Sequence, residues 1–257
     1  MKVSSRNLME TAFIQEQLAK SSVKYLVTEP AKAPQKGRGK EQANEPTNTL
    51  AKAKTKTHVK PQPRPDGTHA MVGPAGEVRI IGGLWKRSKL PVAKHPGLRP
   101  TPDRVRETLF NWLGQDMSGL RCVDAFAGTG ALGFEAASRG ALDVLLVESD
   151  AKLFTQLLNI KTKLKADVVR IQRGDGIATL HALARGSVDV VFIDPPFEAP
   201  IFDKAIAAAA HAVKAQGAIY LEAPKVWTDA DLLPLGMQVV RFGKAGMVHY
   251  HLLKLLG

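Results

Sequence analysis

Asp194-Pro195-Pro196-Phe197 closes a short apolar run, Val188 to Ile193, with the composition of a buried parallel strand. A carboxylate, two prolines and an aromatic ring at the carboxyl end of such a strand make an unusual surface. The prolines restrict the loop and carry no N–H, which leaves their carbonyls as acceptors. The carboxylate is a second acceptor, and the Phe197 ring is a flat stacking platform. The set suits a planar base with an exocyclic amino group. One amine hydrogen would go to Asp194, the other to the Pro195 carbonyl, with the ring stacked on Phe197. The plainer alternative is a strand-end aspartate capping a helix.

A second candidate lies upstream, where a strand over Leu120 to Asp124 runs into Ala125-Phe126-Ala127-Gly128-Thr129-Gly130-Ala131-Leu132-Gly133. Gly128, Gly130 and Gly133 satisfy the G-x-G-x-x-G dinucleotide fingerprint, and Glu148 follows Gly128 by 20 residues. A nicotinamide or flavin enzyme must therefore be weighed, as must a strand-to-helix turn without a ligand. Asp124 argues against a dinucleotide, because a pyrophosphate would meet its negative charge at the strand end. With S-adenosylmethionine the same carboxylate would face the amino group of the methionyl part. Glu148, at the end of the strand Asp143 to Val147, suits ribose hydroxyls with either cofactor. Asp175, after the strand Val168 to Ile171, suits the adenine amino group or is a turn residue ahead of a helix. A dinucleotide leaves Asp-Pro-Pro-Phe unexplained.

The glycine turn Phe126 to Gly130, the acidic Glu148 and Asp194-Pro195-Pro196-Phe197 resemble motifs of the class I S-adenosylmethionine-dependent methyltransferases that modify exocyclic amines. A third block is Val78-Arg79-Ile80-Ile81-Gly82-Gly83-Leu84-Trp85-Lys86 followed by Leu98-Arg99-Pro100-Thr101-Pro102-Asp103-Arg104-Val105-Arg106-Glu107-Thr108-Leu109-Phe110-Asn111-Trp112-Leu113. It resembles the bacterial 16S ribosomal RNA guanine-N2 methyltransferases of the RsmD type. The similarity runs from Glu77 to Leu255, and the first 75 residues lie outside that family's usual core.

The resemblance implies a Rossmann-like α/β fold, with a seven-stranded, mostly parallel, doubly wound sheet whose last strand is antiparallel. It implies catalysis by Asp194, Pro195, Pro196 and Phe197. Cofactor contacts would come from Asp124, Phe126, Ala127, Gly128, Thr129, Gly130, Glu148, Asp175 and Thr101, with S-adenosylmethionine as methyl donor. RNA contacts would come from Arg79, Trp85, Lys86, Arg87, Lys89, Arg99 and Arg104. The partner would be 16S ribosomal RNA in a small ribosomal subunit with protein already bound. An adenine-N6 methyltransferase and a non-catalytic RNA-binding protein on the same fold are the alternatives. The third block and the lack of a separate DNA-recognition segment weigh against the first; the complete acidic and glycine set weighs against the second.

The elements that must position these residues can be traced in order. Residues 77–92 read as a β-hairpin carrying Lys86, Arg87 and Lys89 with Trp85, an RNA-gripping element beside the active site. Thr101 is the expected N-cap of a helix over residues 101–114, with Pro102 at the first helical position. Val105, Leu109, Trp112 and Leu113 form its packed stripe, which makes Trp112 a core residue and leaves Arg104 and Arg106 off that face, to touch a ligand or water. Strand and helix then alternate through residues 118–257, the pattern of a doubly wound sheet. The expected helices are Ala131 to Arg139, Ala151 to Lys165, Ile177 to Arg185 and Ile201 to Gln216. Ala218 to Glu222 is a strand, and Met237 to Phe242 with Val248 to Leu253 form a closing pair. Asp124, Glu148, Asp175 and Asp194 all fall at carboxyl ends of strands, where ligands gather in such sheets.

Charge divides the chain unevenly. Residues 1–75 hold 13 basic and 6 acidic residues, residues 76–106 hold 8 and 2, and the remainder holds 15 and 16. A nearly neutral domain with a positive flank fits a polyanion gripped at one end. Residues 1–75 read as a basic extension too poor in large apolar residues to fold alone, and residues 76–257 as the methyltransferase domain. One cysteine, Cys122, excludes a disulfide framework and a multi-cysteine zinc site. His249 and His251 alternate with apolar residues on a strand and read as surface or packing residues rather than metal ligands. No segment is apolar for the ~18 residues of a membrane span, and no secretory signal is evident. A cytoplasmic monomer is expected.

Overall fold

Residues 76–92, 101–197 and 199–257 are described in a computed structural model of the chain. The 1–75 extension, Arg99 and His95 lie outside them.

The chain enters through a small antiparallel pair, β1 (Glu77–Arg79) and β2 (Lys89–Pro91), joined by residues 80–88. Helix α1 (Asp103–Leu113) follows and ends at Gly114, whose φ of 98° suits a glycine cap. Then come β3 (Arg121–Asp124), α2 (Ala131–Ser138), β4 (Asp143–Glu148), α3 (Ala151–Leu164), β5 (Val169–Arg173), α4 (Gly176–Ala182), β6 (Val188–Ile193), α5 (Phe202–Ala212), β7 (Val213–Ala223), α6 (Asp229–Leu232), β8 (Met237–Ala245) and β9 (Val248–Leu255).

The seven later strands form one sheet in the order β5-β4-β3-β6-β7-β9-β8. All pairs are parallel except those of β9, which runs antiparallel to both β7 and β8. The order reverses between β3 and β6, the switch point at which an open α/β sheet forms its crevice. The seven-stranded, mostly parallel sheet expected from the resemblance is thus present.

Alternation along each strand sorts the core into two layers. Cys122, Val144, Val190, Phe192, Ala218 and Tyr220 face one layer with α1, α2 and the hairpin residues Val78, Ile80 and Leu90. Val123, Leu145, Val191, Ile193, Ile219 and Leu221 face the other with α5. Trp112 lies in the first layer with its ring 5.4 Å from that of Tyr250, a packing role as its stripe predicted.

Two boundaries differ from the sequence expectation. Helix α5 stops at Ala212 rather than Gln216, because β-branched Val213 already pairs with Val188 in β7, and a register shift then opens before Ala218 meets Val190. Helix α4 ends at Ala182 rather than Arg185, where Leu183 turns extended and Gly186 takes a φ of 63°.

Arg106 is the largest departure. Expected among solvated or ligand-facing residues, it is fully buried beside the equally buried Glu135. Its guanidinium donates to Glu135 Oε2 (3.1 Å), Asp103 Oδ1 (2.7 Å) and the carbonyls of Arg79 (2.7 Å) and Thr101 (3.3 Å). Glu135 also accepts from Arg139 Nε and from the N–H groups of Ile81 and Gly82, each at 2.8 Å. One ionic cluster therefore ties α1, α2 and the hairpin, satisfying hairpin N–H groups that no sheet neighbour takes.

Candidate active site

The glycine turn begins where β3 delivers Asp124. Gly128 and Gly130 take φ values of 51° and 76°, the left-handed region that side chains with a Cβ resist. A Cβ on Gly130 would lie 2.7 Å from both Leu157 and Phe134. The turn is held by Ala127 N–H to Val147 O (2.9 Å) and Gly130 N–H to Ala127 O (2.6 Å). Ala127 and Thr129 are buried and Phe126 half-buried, with the Thr129 hydroxyl accepting from Ala131 N–H at 3.3 Å.

Asp124 is almost wholly buried, and its Oδ2 accepts from Gly133 N–H at 3.0 Å. Burial pushes its carboxyl up to about 7, a rise opposed by the Gly133 and Phe126 N–H groups and reinforced by nearby Glu148 and Glu222. Glu148 accepts from Gly128 N–H (2.7 Å) and Asp150 N–H (2.8 Å), so it fixes the turn from the neighbouring strand. Asp175 caps α4 through Ala178 N–H at 2.7 Å. Beside it, Gly176 packs so tightly on Ala125 that a Cβ would sit 2.0 Å from the Ala125 carbonyl oxygen. Asp124, Glu148 and Asp175 thus surround one turn from three strand ends.

Asp194 leaves β6 on the other side of the switch point. It is half-buried, Pro195 buried, Pro196 exposed and Phe197 half-buried. Burial pushes the Asp194 carboxyl well above its ordinary range, and the charges of Glu222 and Asp124 push it the same way. Glu222, next to last in β7, is a candidate residue that the sequence reading passed over. It is 3% exposed and accepts from the Tyr220 hydroxyl at 2.8 Å and from the Thr101 hydroxyl. Its own carboxyl is raised by burial, against the lowering effect of those two hydroxyls. The signal was available: Glu222 lies near the end of an apolar strand, as Asp124, Glu148 and Asp194 do.

Thr101 is not the N-cap of α1. Pro102 holds that position without a side-chain bond, since the Thr101 hydroxyl is turned to Glu222. Of the expected RNA contacts, Arg79, Lys86, Arg87, Lys89 and Arg104 are exposed, whereas Trp85 is half-buried against the core. Arg79 lies 3.9 Å from Asp103, and Lys89 pairs with Glu77 at 2.6 Å.

The hairpin does not hold its basic turn beside Asp194. It runs along α1 and α2, and Leu84 and Trp85 dock on Ser138 at the far end of α2 from the glycine turn. That helix is 8 residues long, or about 12 Å. Lys86 instead lines a separate cleft of about 800 Å³ with Asn111, Gln115 and Arg139.

Among the described residues no lysine or arginine forms an ion pair with Asp124, Asp194 or Glu222. No described group of three or more His, Cys, Asp or Glu residues could hold a metal ion. Buried acids without a cation, grouped around an open backbone turn, fit a positively charged cofactor of the adenosylmethionine kind. A dinucleotide pyrophosphate would be repelled there. No described helix is long and apolar enough to cross a membrane.

Comparison with known proteins agrees with this geometry. Residues 78–254 match the family model described as Conserved hypothetical protein 95. The chain is 46% identical over 132 residues to ribosomal RNA small subunit methyltransferase D of Escherichia coli K12, covering 51% of this chain and 66% of that one. It is 40% identical to the Haemophilus influenzae protein of the same name over 183 residues, covering 69% and 93%. A solved structure of a putative methyltransferase from Escherichia coli superposes with a TM-score of 0.61 at 40% identity, covering 70% of this chain and 98% of the other. The fold is that of the class I methyltransferases, whose methyl donor is S-adenosylmethionine, and the chain belongs to the family of the ribosomal RNA small subunit methyltransferase D proteins.

Proposed function

We propose that the protein transfers a methyl group from S-adenosylmethionine to the exocyclic N2 of a guanine in small-subunit (16S) ribosomal RNA, in an assembled or assembling subunit. The observation that carries this reading is the placing of Asp194-Pro195-Pro196-Phe197 at the end of β6, one strand from the glycine turn that ends β3.

When bound, S-adenosylmethionine supplies a methyl group on a positively charged sulfur, an already activated leaving group. Asp124, Glu148 and Asp175 would hold it, with Thr101 and the residues of the turn from Phe126 to Gly130. Asp194 and the Pro195 carbonyl accept the two amine hydrogens of the target base. Those bonds draw the nitrogen lone pair out of the ring and stabilise the positive charge that develops on nitrogen, which is lost when one N–H proton passes to water after the methyl has left the sulfur as a neutral thioether. Phe197 stacks on the base once it leaves its helix or loop, at an unstacking cost of roughly a few kcal/mol. Holding the amine in line at contact distance supplies most of the remaining acceleration. The exposed basic residues Arg79, Lys86, Arg87, Lys89 and Arg104, with Trp85 and Arg99, contact the RNA on this reading. It also places the protein in the cytoplasm, as a monomer, with residues 1–75 adding salt-dependent affinity.

The test is transfer of labelled methyl from S-adenosylmethionine to undermethylated small subunits, to naked 16S RNA and to duplex DNA, with nucleoside analysis of the product. N2-methylguanosine from the ribosomal substrates alone is expected. N6-methyladenine, or label in DNA, would replace the guanine reading by the adenine one.

A further inference from the structure

We propose that Glu222 selects guanine over adenine, accepting the N1–H of the target base while Asp194 accepts from its exocyclic amine. The inference rests on the amino-methyltransferase reading above and adds to it the residue that chooses the base.

Strand register carries the argument. Ile193 of β6 pairs with Leu221 of β7 in parallel, so Asp194 and Glu222, each one residue further on, lie side by side about 5 Å apart. Both follow by two residues a side chain of the α1–α2 layer, Phe192 and Tyr220, so both point to the same face. Tyr250 of β9 pairs with Glu222 and extends the row. Asp124 pairs with Phe192, two residues before Asp194 along β6. The methyl-donor side of the crevice is thus marked by Asp124 and Glu148, and the acceptor side by Asp194 and Glu222.

Glu222 is also held in place. The Tyr220 and Thr101 hydroxyls fix it from two directions and leave lone pairs of its carboxylate free. Neighbouring carboxylates with no described cation present acceptors when ionised. Guanine offers donors at N1 and N2 along its Watson–Crick edge, and meets both. Adenine offers its amine beside an N1 lone pair, which would face a carboxylate. A site whose buried acceptors need a donor rejects a base that lacks one more strongly than shape alone can. Burial raises both carboxyls, and Glu222 raises Asp194 further, so the two donors of guanine are what would favour the ionised, accepting form of the pair.

The test compares the wild type with Glu222→Gln, and with Tyr220→Phe as a milder variant that only loosens Glu222. The full chains act on undermethylated small subunits, and the methylated position is mapped with the wild type. Subunits are then reconstituted with guanosine or 2-aminopurine at that position; the latter keeps the N2 amine but has a lone pair at N1. The wild type should prefer guanine by about 100-fold or more. Glu222→Gln should lose guanine activity by about 100-fold and narrow the preference to about tenfold or less, since a carboxamide can donate to the N1 lone pair. Tyr220→Phe should fall between. Donor binding, measured by calorimetry, should change by no more than about threefold in either variant.

N2-methylguanosine made by Glu222→Gln at the wild-type rate, with the wild-type preference, would overturn the inference and leave the guanine reading standing. Loss of donor binding in both variants would also overturn it, in favour of a structural role. Wild-type transfer to adenine N6 in the same particles would overturn both.

Discussion

Replacing Arg106 with alanine tests whether one buried side chain clasps the hairpin to α1 and α2. Arg106 is inaccessible to water and donates to two carboxylates and two carbonyls, with distances of 2.7–3.3 Å. Removing one partner of a buried ion pair costs about 3–5 kcal/mol, because the other charge stays buried. Glu135 retains Arg139 and two hairpin N–H groups, which puts the expected loss near the lower end, about 3 kcal/mol. For a domain of this size each kcal/mol moves the melting point by about 2–4 °C, so the transition should fall by about 6–12 °C. Arg106→Lys keeps the charge but not the fork and should recover only part of the loss. Thermal melts followed by circular dichroism on the full chain give the answer. A drop in Arg106→Ala below about 2 °C would mean that hydrophobic packing alone holds the hairpin.

Three further outcomes are expected. Asp194→Ala should slow methyl transfer by about 100- to 1,000-fold or more, with donor binding within about threefold; near-normal turnover would remove Asp194 from the chemistry. Gly128→Val should cost about 1–2 kcal/mol of backbone strain at a φ of 51° and weaken donor binding at least tenfold by calorimetry, whereas unchanged affinity would make the turn purely structural. Asp124 titrates at about 7 when folded and near 3.8 otherwise, so the folded state binds more protons between those values and stability should fall as pH rises from about 4 to about 7. Denaturant midpoints across that window should show the fall, Asp124→Asn should make it shallower while the raised Asp194 and Glu222 keep part of it, and a rise instead would contradict the burial argument.

The strand ends and the turn that make up the candidate site could be read from the chain because each is a local segment. Asp194-Pro195-Pro196-Phe197 and the glycine turn each combine a strand end with backbone peculiarities that few other roles require. The fold followed from alternation of apolar strands with amphipathic helices. What escaped depends on distance in the chain. Arg106 lies off the apolar stripe of α1, so periodicity puts it in water, and only Glu135, 29 residues away on a helix buried all round, brings it inside. Thr101 has every local mark of an N-cap, yet its hydroxyl is taken by Glu222, 121 residues later. The hairpin's basic turn looked like a neighbour of the active site until its bonds to Ser138 placed it at the other end of α2.

The placing of β9 between β7 and β8 bears on how the protein is made. Strand β8 leaves the ribosome before β9, yet among the described residues it pairs in the sheet with β9 alone. Until Val248–Leu255 emerges, the growing chain carries β7 as an unpaired edge, the kind of exposed strand that recruits other chains. Tyr250 arrives with that last strand and completes the row that begins at Asp194 and Glu222. A nascent chain halted at Gly246 would therefore hold the glycine turn after β3 while β7 still lacked the antiparallel strand that covers its edge.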